Sequence, residues 1–429
     1  MFGHRHYRLS QQKIRHKMNR YDIIIIGAGL AGLSAAKELS GSKLKVLLVE
    51  KEKELDSHMA GMFHPTVVKF GLQKAVRTKV NNLLFVTPEE KSMFDFSKEK
   101  EEYVDYVDLK EACRILSRKI RCELKRDTEI INAEYYDGGI MLLDISQKKY
   151  FARLVIDCSG NAAVAATSLG IKKSMVYNET LSGNIRCRID TKKVGSSIQY
   201  QDRTITKNAG AWIVPLNKKK ANVGISSYVP YFSPSRQDLE RRLNLFLIKM
   251  DKRFHLGLDL KSLKDIRHKK SPVVQPIYPM YKDHLLVVGD AAGQATSFYG
   301  MGTETALEMG KAAADIAVNA FKNNCTEARF LRYYENIWWR MFGRYDELST
   351  YLRHYIINYF KDDEWDRINR RLQGLSPKEF YLFLRSKYSL GMMIKMFSAG
   401  IFAAVMFNAL RRKFLVLTRS RRKFISRYI

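Results

Sequence analysis

Short unbroken apolar runs mark the first recognisable elements of the chain. Residues 23–26 are four isoleucines, residues 46–49 read VLLV and residues 285–288 read LLVV. Runs of this length, bounded by glycine or acid, predict strands buried on both faces of a parallel sheet. Between the first two, alanine- and leucine-rich sequence predicts a helix through Leu39. After the third, an alanine-rich helix is predicted to start near Thr303. In the middle of the chain alternation replaces the runs. Residues 223–228 alternate between turns at 217–220 and 230–234, with 185–189 as candidate partner, so 176–282 is expected to form a mostly antiparallel sheet. Beyond residue 326 the pattern is helical and includes the apolar segment 396–410, MFSAGIFAAVMFNAL.

Composition narrows this picture. A chain of 429 residues holds two or three domains at about 150 residues each. Its 46% hydrophobic and 11% aromatic content supports a sizeable core and excludes a disordered chain. The net charge of +30 predicts attraction to anionic surfaces or phosphorylated substrates. The basic residues are spread along the chain, with local density at both ends, which argues against nucleic acid as the partner. The 396–410 segment is shorter than the roughly 20 residues that span a bilayer. With Lys395 before it and Arg411, Arg412 and Lys413 after it, it suits a helix lying among acidic headgroups, peripheral to the cytoplasmic membrane face. A core helix capping the substrate domain is the alternative. Residues 1–19 are basic, lack the apolar stretch of a signal peptide and are expected to be a disordered arm. Five cysteines, odd in number and without a CxxC pair, fit free thiols in a reducing cytoplasm and no metal site.

The candidate chemistry lies in two glycine-lined turns. The first is GAGLAG, with Gly27, Gly29 and Gly32 at the spacing of a dinucleotide-binding turn between strand and helix. Gly27 permits the tight turn, Gly29 lets a pyrophosphate approach the backbone, and Gly32 lets helix pack on strand. The amides of Leu30 and Ala31 open the helix and face the phosphates. Glu50, with Lys51 beside it, ends the second strand where a ribose hydroxyl is expected. The second turn runs from Gly289 and Asp290 through Gly293 to Gly300, Met301 and Gly302. One acid and several free backbone amides suit the ribityl chain and pyrimidine edge of a flavin, which selects FAD over NAD alone. Asp290 is equally placed to cap the turn that follows, and the sequence leaves both roles open.

These motifs resemble the geranylgeranyl reductase family of FAD-dependent oxidoreductases, which is related to the aromatic hydroxylases. GAGLAG with Glu50, the Gly289–Gly293 and Gly300–Gly302 pattern, and the strand ending in Asp157 and Gly160 before Leu169-Gly170-Ile171 carry the match. So do the segment 211–215, AWIVP, the strand after it, and Leu331–Glu335 with Trp338. The family's pattern has Pro and Glu where this chain has Ser297 and Met301. No arginine follows Val107-Asp108, where Leu109 and Lys110 stand, and 56–65 lacks the cysteine that archaeal members often carry.

The resemblance implies an α/β fold with a Rossmann-like FAD-binding domain interleaved with an antiparallel-sheet substrate domain and a helical C-terminal region. The expected boundaries are 20–75, 105–175 and 283–325 for the FAD domain, 76–104 and 176–282 for the substrate domain, and 326–429 for the helical region. Asp157 and Gly160 join the expected cofactor contacts. Trp212 and Pro215 are expected at the substrate, with ordinary β-core packing of the indole as the alternative. The implied reaction is reduction of C=C bonds in an isoprenoid chain on a lipid or prenyl diphosphate, a proton being needed at the second carbon. His58 and His64 are nominated as its source by position, and Tyr299 by its place beside the second turn; each is as readily structural. No second GxGxxG is present for a nicotinamide, so electrons would come from NAD(P)H docking transiently or from a donor protein such as ferredoxin. A monooxygenase of a hydrophobic substrate would share every FAD motif. A lycopene-cyclase-like enzyme would use FAD without net redox change, and a halogenase would want a second tryptophan in 211–215.

Overall fold

The computed structural model describes residues 18–54, 58–99, 102–172, 177–229, 234–272, 276–296 and 300–397. The isoleucine run becomes the centre of an eight-stranded sheet. Strand Asn19–Ile26 lies between Lys149–Asp157 and Val46–Val49, parallel to both. Glu123–Lys125 and Leu285–Val287 extend the parallel core on either side. A hairpin of Ile130–Tyr136 and Gly139–Asp144 grows from Lys149–Asp157. Because Leu285–Val287 and Asn19–Ile26 flank Lys149–Asp157, the loops after these three strands emerge side by side at one edge of the sheet. That edge, at the carboxyl ends of parallel strands, is where open α/β sheets bind ligands.

Helices Leu30–Leu39 and Thr303–Lys322 follow the outer two of those loops and cross near their N-termini. A Cβ at Gly310 would stand 2.3 Å from the Ala31 carbonyl oxygen, so only glycine permits this approach. The Ser34 hydroxyl donates to the Leu307 carbonyl at 2.6 Å and pins the crossing.

A seven-stranded sheet carries the second domain, in the order Asp259–Pro272, Tyr177–Arg186, Lys220–Val229, Gly210–Asn217, Ser197–Tyr200, Asn82–Val86, Lys91–Asp95. All pairs are antiparallel except Ser197–Tyr200 with Asn82–Val86. Helix Arg236–Phe254 seals one face, packing Leu239, Leu243, Phe246 and Met250 on Ile185, Ile198, Ile213 and Ile225. The partner expected at 185–189 begins earlier, at Tyr177, and pairs Ile185 with Ala221. Strand Asp259–Pro272 escapes the hydrophobic pattern because it is a lysine-rich edge, the composition that keeps an edge from pairing with other chains. The span 76–104 divides between two sheets. Val76–Val80 joins Met59–Phe63 and Val104–Asp108 in a separate three-stranded sheet, and only Asn82–Val86 and Lys91–Asp95 belong to the seven-stranded one.

The region after 326 is helical through Met396 and closes the open end of the seven-stranded sheet. Phe85, Phe94 and Phe96 from the sheet meet Ile356, Phe360, Trp365, Phe380 and Phe383 from the helices. The Trp365 indole N–H donates to Asn208 Oδ1 at 2.8 Å, which satisfies the polar edge of a buried ring. Met396 and Phe397 are buried in this core; the rest of the 396–410 segment lies outside the described residues, as do residues 1–17 of the basic arm. Met18 already packs on Met141 and Phe151, and Asn19 is in the first strand. Among the described residues no helix is long and apolar enough to cross a membrane.

Gly310→Ala is expected to destabilise the protein by about 1–3 kcal/mol through overpacking of the crossing. The measurement is urea unfolding, read as a lower midpoint with unchanged slope. An unchanged midpoint would show that the helices do not meet at this contact.

Candidate cofactor and substrate site

The first turn fits a diphosphate. Gly27 adopts φ +97°, and a Cβ there would lie 2.4 Å from the Cys158 carbonyl oxygen of the adjacent loop. Gly32 faces the Gly27 carbonyl, whereas Gly29 opens onto empty space, with nothing within 4 Å of where a Cβ would stand. Helix Leu30–Leu39 has no side-chain cap, so its first amides, including those of Leu30 and Ala31, are available to an anion. The Glu50 carboxylate is buried and held in place: Oε2 accepts from the Ala28 amide at 2.6 Å and Oε1 from the Glu52 amide at 3.0 Å. Lys51 is exposed and pairs with Glu52 at 3.6 Å. Arg126, on the next strand's exit, has a buried Nη1 with no partner among the described residues. Its backbone neighbours bind Glu50, since Glu50 N–H donates to Lys125 and Thr128 N–H donates to Glu50. Open space at Gly29, uncapped amides and an unpartnered guanidinium atom are what an anionic cofactor would satisfy.

The second turn lies against the first. Gly289, at φ +66°, brings its Cα side to within contact of Ala31. Its amide donates to Gln294 Oε1 at 2.7 Å, and Gln294 Nε2 donates to Tyr334 at 3.1 Å, so a buried glutamine ties the turn to helix Ala328–Trp338. Asp290 follows and faces Gly302. Burial pushes its carboxyl up to about 6, with Lys269 opposing. Gly293 ends the short 3-10 turn in the left-handed region, and Gly300 shares that conformation. Helix Thr303–Lys322 starts with Gly302 and no side-chain cap, while Thr303 donates to the Gly61 carbonyl at 3.0 Å. Met301 rests against the same Gly61.

The face of the seven-stranded sheet left open by helix Arg236–Phe254 turns toward these loops. Register places Arg267, Ser182, Gly224, Trp212, Gln199 and Phe85 in one row across it. Lys269, Thr180 and Ser226 form the row beside it. The face therefore grades from basic through small polar to apolar. The Trp212 indole lies over Gly224, where a Cβ would collide with the ring at 2.2 Å. Its N–H donates to Asn222 Oδ1 at 3.2 Å, which also accepts from Tyr106 at 2.6 Å. Held flat in this way, Trp212 joins Met59, Val104, Leu216 and Met301 as a half-buried apolar fringe.

Comparison with known proteins agrees with this geometry. The family model for FAD dependent oxidoreductase matches residues 22–102. A digeranylgeranylglycerophospholipid reductase of Methanocaldococcus jannaschii is 25% identical over 388 residues, covering 84% of this chain and 93% of the relative. A geranylgeranyl bacteriochlorophyll reductase-like protein of Thermoplasma acidophilum has the same fold, with a TM-score of 0.74 at 18% identity over 91% of this chain and 96% of that one. The flavin-dependent brominase Bmp2 shares the fold at a TM-score of 0.69 and 13% identity, covering 92% of this chain and 100% of its own. This chain is an FAD-dependent oxidoreductase, similar to the geranylgeranyl reductases.

In this oxidoreductase most motif residues converge, but Asp157 and Pro215 do not. The Asp157 carboxylate turns back into its own loop, accepting from the Ser159 amide at 3.0 Å and the Ala166 amide at 2.9 Å. It braces the loop that Gly160 opens instead of presenting an oxygen to the groove. Pro215 is buried on the opposite face from Trp212, three residues along and opposite Ala221 of the sealed core, so it is not a cleft residue. His58 faces the cleft, where Lys269 Nζ donates to its Nδ1 at 2.7 Å. Burial, with the Lys269 ammonium alongside, pushes His58 down to about 4. Burial and then Arg267 push Lys269 down to about 8. His64 is held by Asp105 at 2.7 Å and stacked on Tyr103, a packed pair at the start of helix His64–Phe70. Tyr299 lies outside the described residues. Lys269, Arg126, Gln294 and Asn222 belong to the site without any local motif. Lys269 is one lysine among several in an edge strand, and only its register reveals it.

Asp290→Ala is expected to lower the flavin-to-protein ratio of the purified protein several-fold, measured by absorbance; an unchanged ratio would remove Asp290 from the cofactor site. The lowered pKa of His58 sets a second expectation. Between pH 6.5 and 4 the unfolded chain takes up this proton before the folded one, so stability is lost as pH falls through that window. His58→Gln should show a shallower loss of urea midpoint over the same range than the wild type. Parallel curves would show that the imidazole is not held neutral.

Proposed function

We propose that this reductase saturates C=C bonds of a geranylgeranyl chain carried on a lipid or a prenyl diphosphate, with hydride supplied by reduced FAD. The observation that carries the reading is the graded open face of the seven-stranded sheet. Trp212, Met301, Met59 and Val104 give an apolar wall beside the start of helix Thr303–Lys322. Arg267 and Lys269 give the same face a basic end. A hydrocarbon with an anionic head matches that gradient, and the M. jannaschii relative is named for a substrate of this kind.

FAD, when bound, supplies the redox step. The chain's own contribution is position and electrostatics. The uncapped amides at Thr303 and beyond favour negative charge on the flavin's pyrimidine side. The flat indole of Trp212 and the Met301 side chain align a chain that has no polar handle, and the apolar fringe keeps water away from it. An unactivated alkene needs a proton as the hydride arrives. The Lys269–His58 pair is the proposed donor, and Lys269 carries its proton because His58 is held neutral. The reductant is proposed to be NAD(P)H docking transiently or an electron-donor protein such as ferredoxin. Peripheral attachment to the acidic cytoplasmic face of a membrane belongs to the same proposal, supported by the net charge of +30.

The test reduces the protein anaerobically, adds a geranylgeranyl lipid, and follows flavin reoxidation together with the mass of the lipid. Reoxidation without oxygen, with two hydrogens gained per saturated bond, is the expected result. Reoxidation only on admitting oxygen, with an oxygen atom gained by the product, would instead establish a monooxygenase.

A further inference from the structure

Glu304 is the second residue of helix Thr303–Lys322, within the uncapped first turn assigned above to the flavin. A carboxylate there stabilises the helix, yet it opposes the negative charge that reduction brings to the flavin. The site does not leave that charge uncompensated. Arg385, the residue that ends helix Pro377–Leu384, forms an ion pair with Glu304 across 81 positions of sequence. The pair is well shielded, with side-chain exposures of 18% for Arg385 and 11% for Glu304. The guanidinium is seated 5.2 Å from the centre of the Phe63 ring and 5.8 Å from that of Tyr381. Its Nε is buried without a partner among the described residues. An arginine held this firmly, and incompletely satisfied, differs from one on an open surface, where ion pairs contribute little. One turn on, Glu308 is matched by Lys69, so both acids on this side of the helix are paired by elements outside the flavin motifs.

We propose that Arg385 tunes the reduction potential of the bound flavin by cancelling the charge of Glu304 at the start of this helix. With the pair intact, the helix start keeps the positive potential of its free amides, and the reduced flavin is favoured. Removing Arg385 exposes the Glu304 charge and disfavours reduction; removing Glu304 does the reverse. Lys387, which also lies near Glu304, softens the first effect without changing its sign. The helical C-terminal region is thereby part of the electrostatics of the flavin site, although it carries none of the binding motifs. The inference rests on flavin sitting at the start of Thr303–Lys322 and is independent of the substrate proposed above.

The test is the midpoint potential of the FAD-loaded full chain, by equilibrium reduction against a reference dye with no lipid present. Arg385→Gln is expected to lower the potential and Glu304→Gln to raise it. Each shift should be at least tenfold in the reduced-to-oxidised ratio, about 30 mV for a two-electron couple. The double variant should return close to the wild-type value, and Arg385→Lys should stay near it. Single variants that shift the same way, or no shift in either, would overturn the proposal and leave a purely structural pair. Should Arg385→Gln lose its flavin, Glu304→Gln decides alone, and a potential that is lowered or unchanged is the overturning result. Failure of the wild-type chain to hold FAD would instead overturn the flavin reading beneath it. Failure of the lipid assay leaves the potentials intact.

Discussion

The crossing of helices Leu30–Leu39 and Thr303–Lys322 is the contact on which the site depends. Each helix presents uncapped amides at its N-terminus, and each alone would be an ordinary anion-attracting helix end. Gly310 lets the second helix lie on the Ala31 carbonyl, and Gly289 brings the second turn against Ala31 from the other side. Two helix starts separated by most of the chain thus face one groove at the edge of the parallel sheet. A long cofactor with a diphosphate at its middle and a ring at one end needs that geometry. A side chain at the crossing would separate the two halves before it disturbed either one.

The seven-stranded sheet shows how one element can serve both stability and chemistry. Strand residues alternate between faces, so Ile185, Ile213, Val223 and Ile225 bury against helix Arg236–Phe254, while their neighbours Asn184, Trp212, Asn222 and Gly224 look into the cleft. Polar side chains there find partners within the sheet: Asn222 accepts from both Trp212 and Tyr106 and donates to the Gly183 carbonyl. Buried polar groups satisfied in this way hold the indole flat at little cost in stability. The helical C-terminal region completes the arrangement by covering Phe85 and Phe94 at one end of the sheet. By the same packing it carries Arg385 to the start of helix Thr303–Lys322.

Charge is distributed in keeping with this division. The open face is basic at Arg267 and Lys269, where it meets His58 and approaches Asp290. Burial in this corner holds His58 neutral and weakens the hold of Lys269 on its proton. Both shifts have the same leading cause, the cost of keeping charge away from water.

Much of the candidate cofactor site was legible in the amino-acid sequence, because its turns and helix starts are specified locally. GAGLAG between an isoleucine run and VLLV, Glu50 at a strand end, and the helix start at Thr303 all appear where the pattern placed them, since tight turns and helix starts are specified by a few adjacent residues. Orientation was less legible. Asp157 and Pro215 sit in matching motifs, but one turns its carboxylate inward and the other points to the sealed face. Strands Tyr177–Arg186 and Asp259–Pro272 carry polar residues because they border a cleft or an edge, so alternation of hydrophobicity does not reveal their extent. By itself the sequence determined the two glycine turns, the parallel sheet that aims them and the class of cofactor they suit. Only the tertiary structure decided that Lys269 meets His58, that Arg126 stands beside Glu50 and that Arg385 answers Glu304. These pairs join residues tens to hundreds of positions apart, and sheet register and helix packing bring them together, which no local propensity encodes.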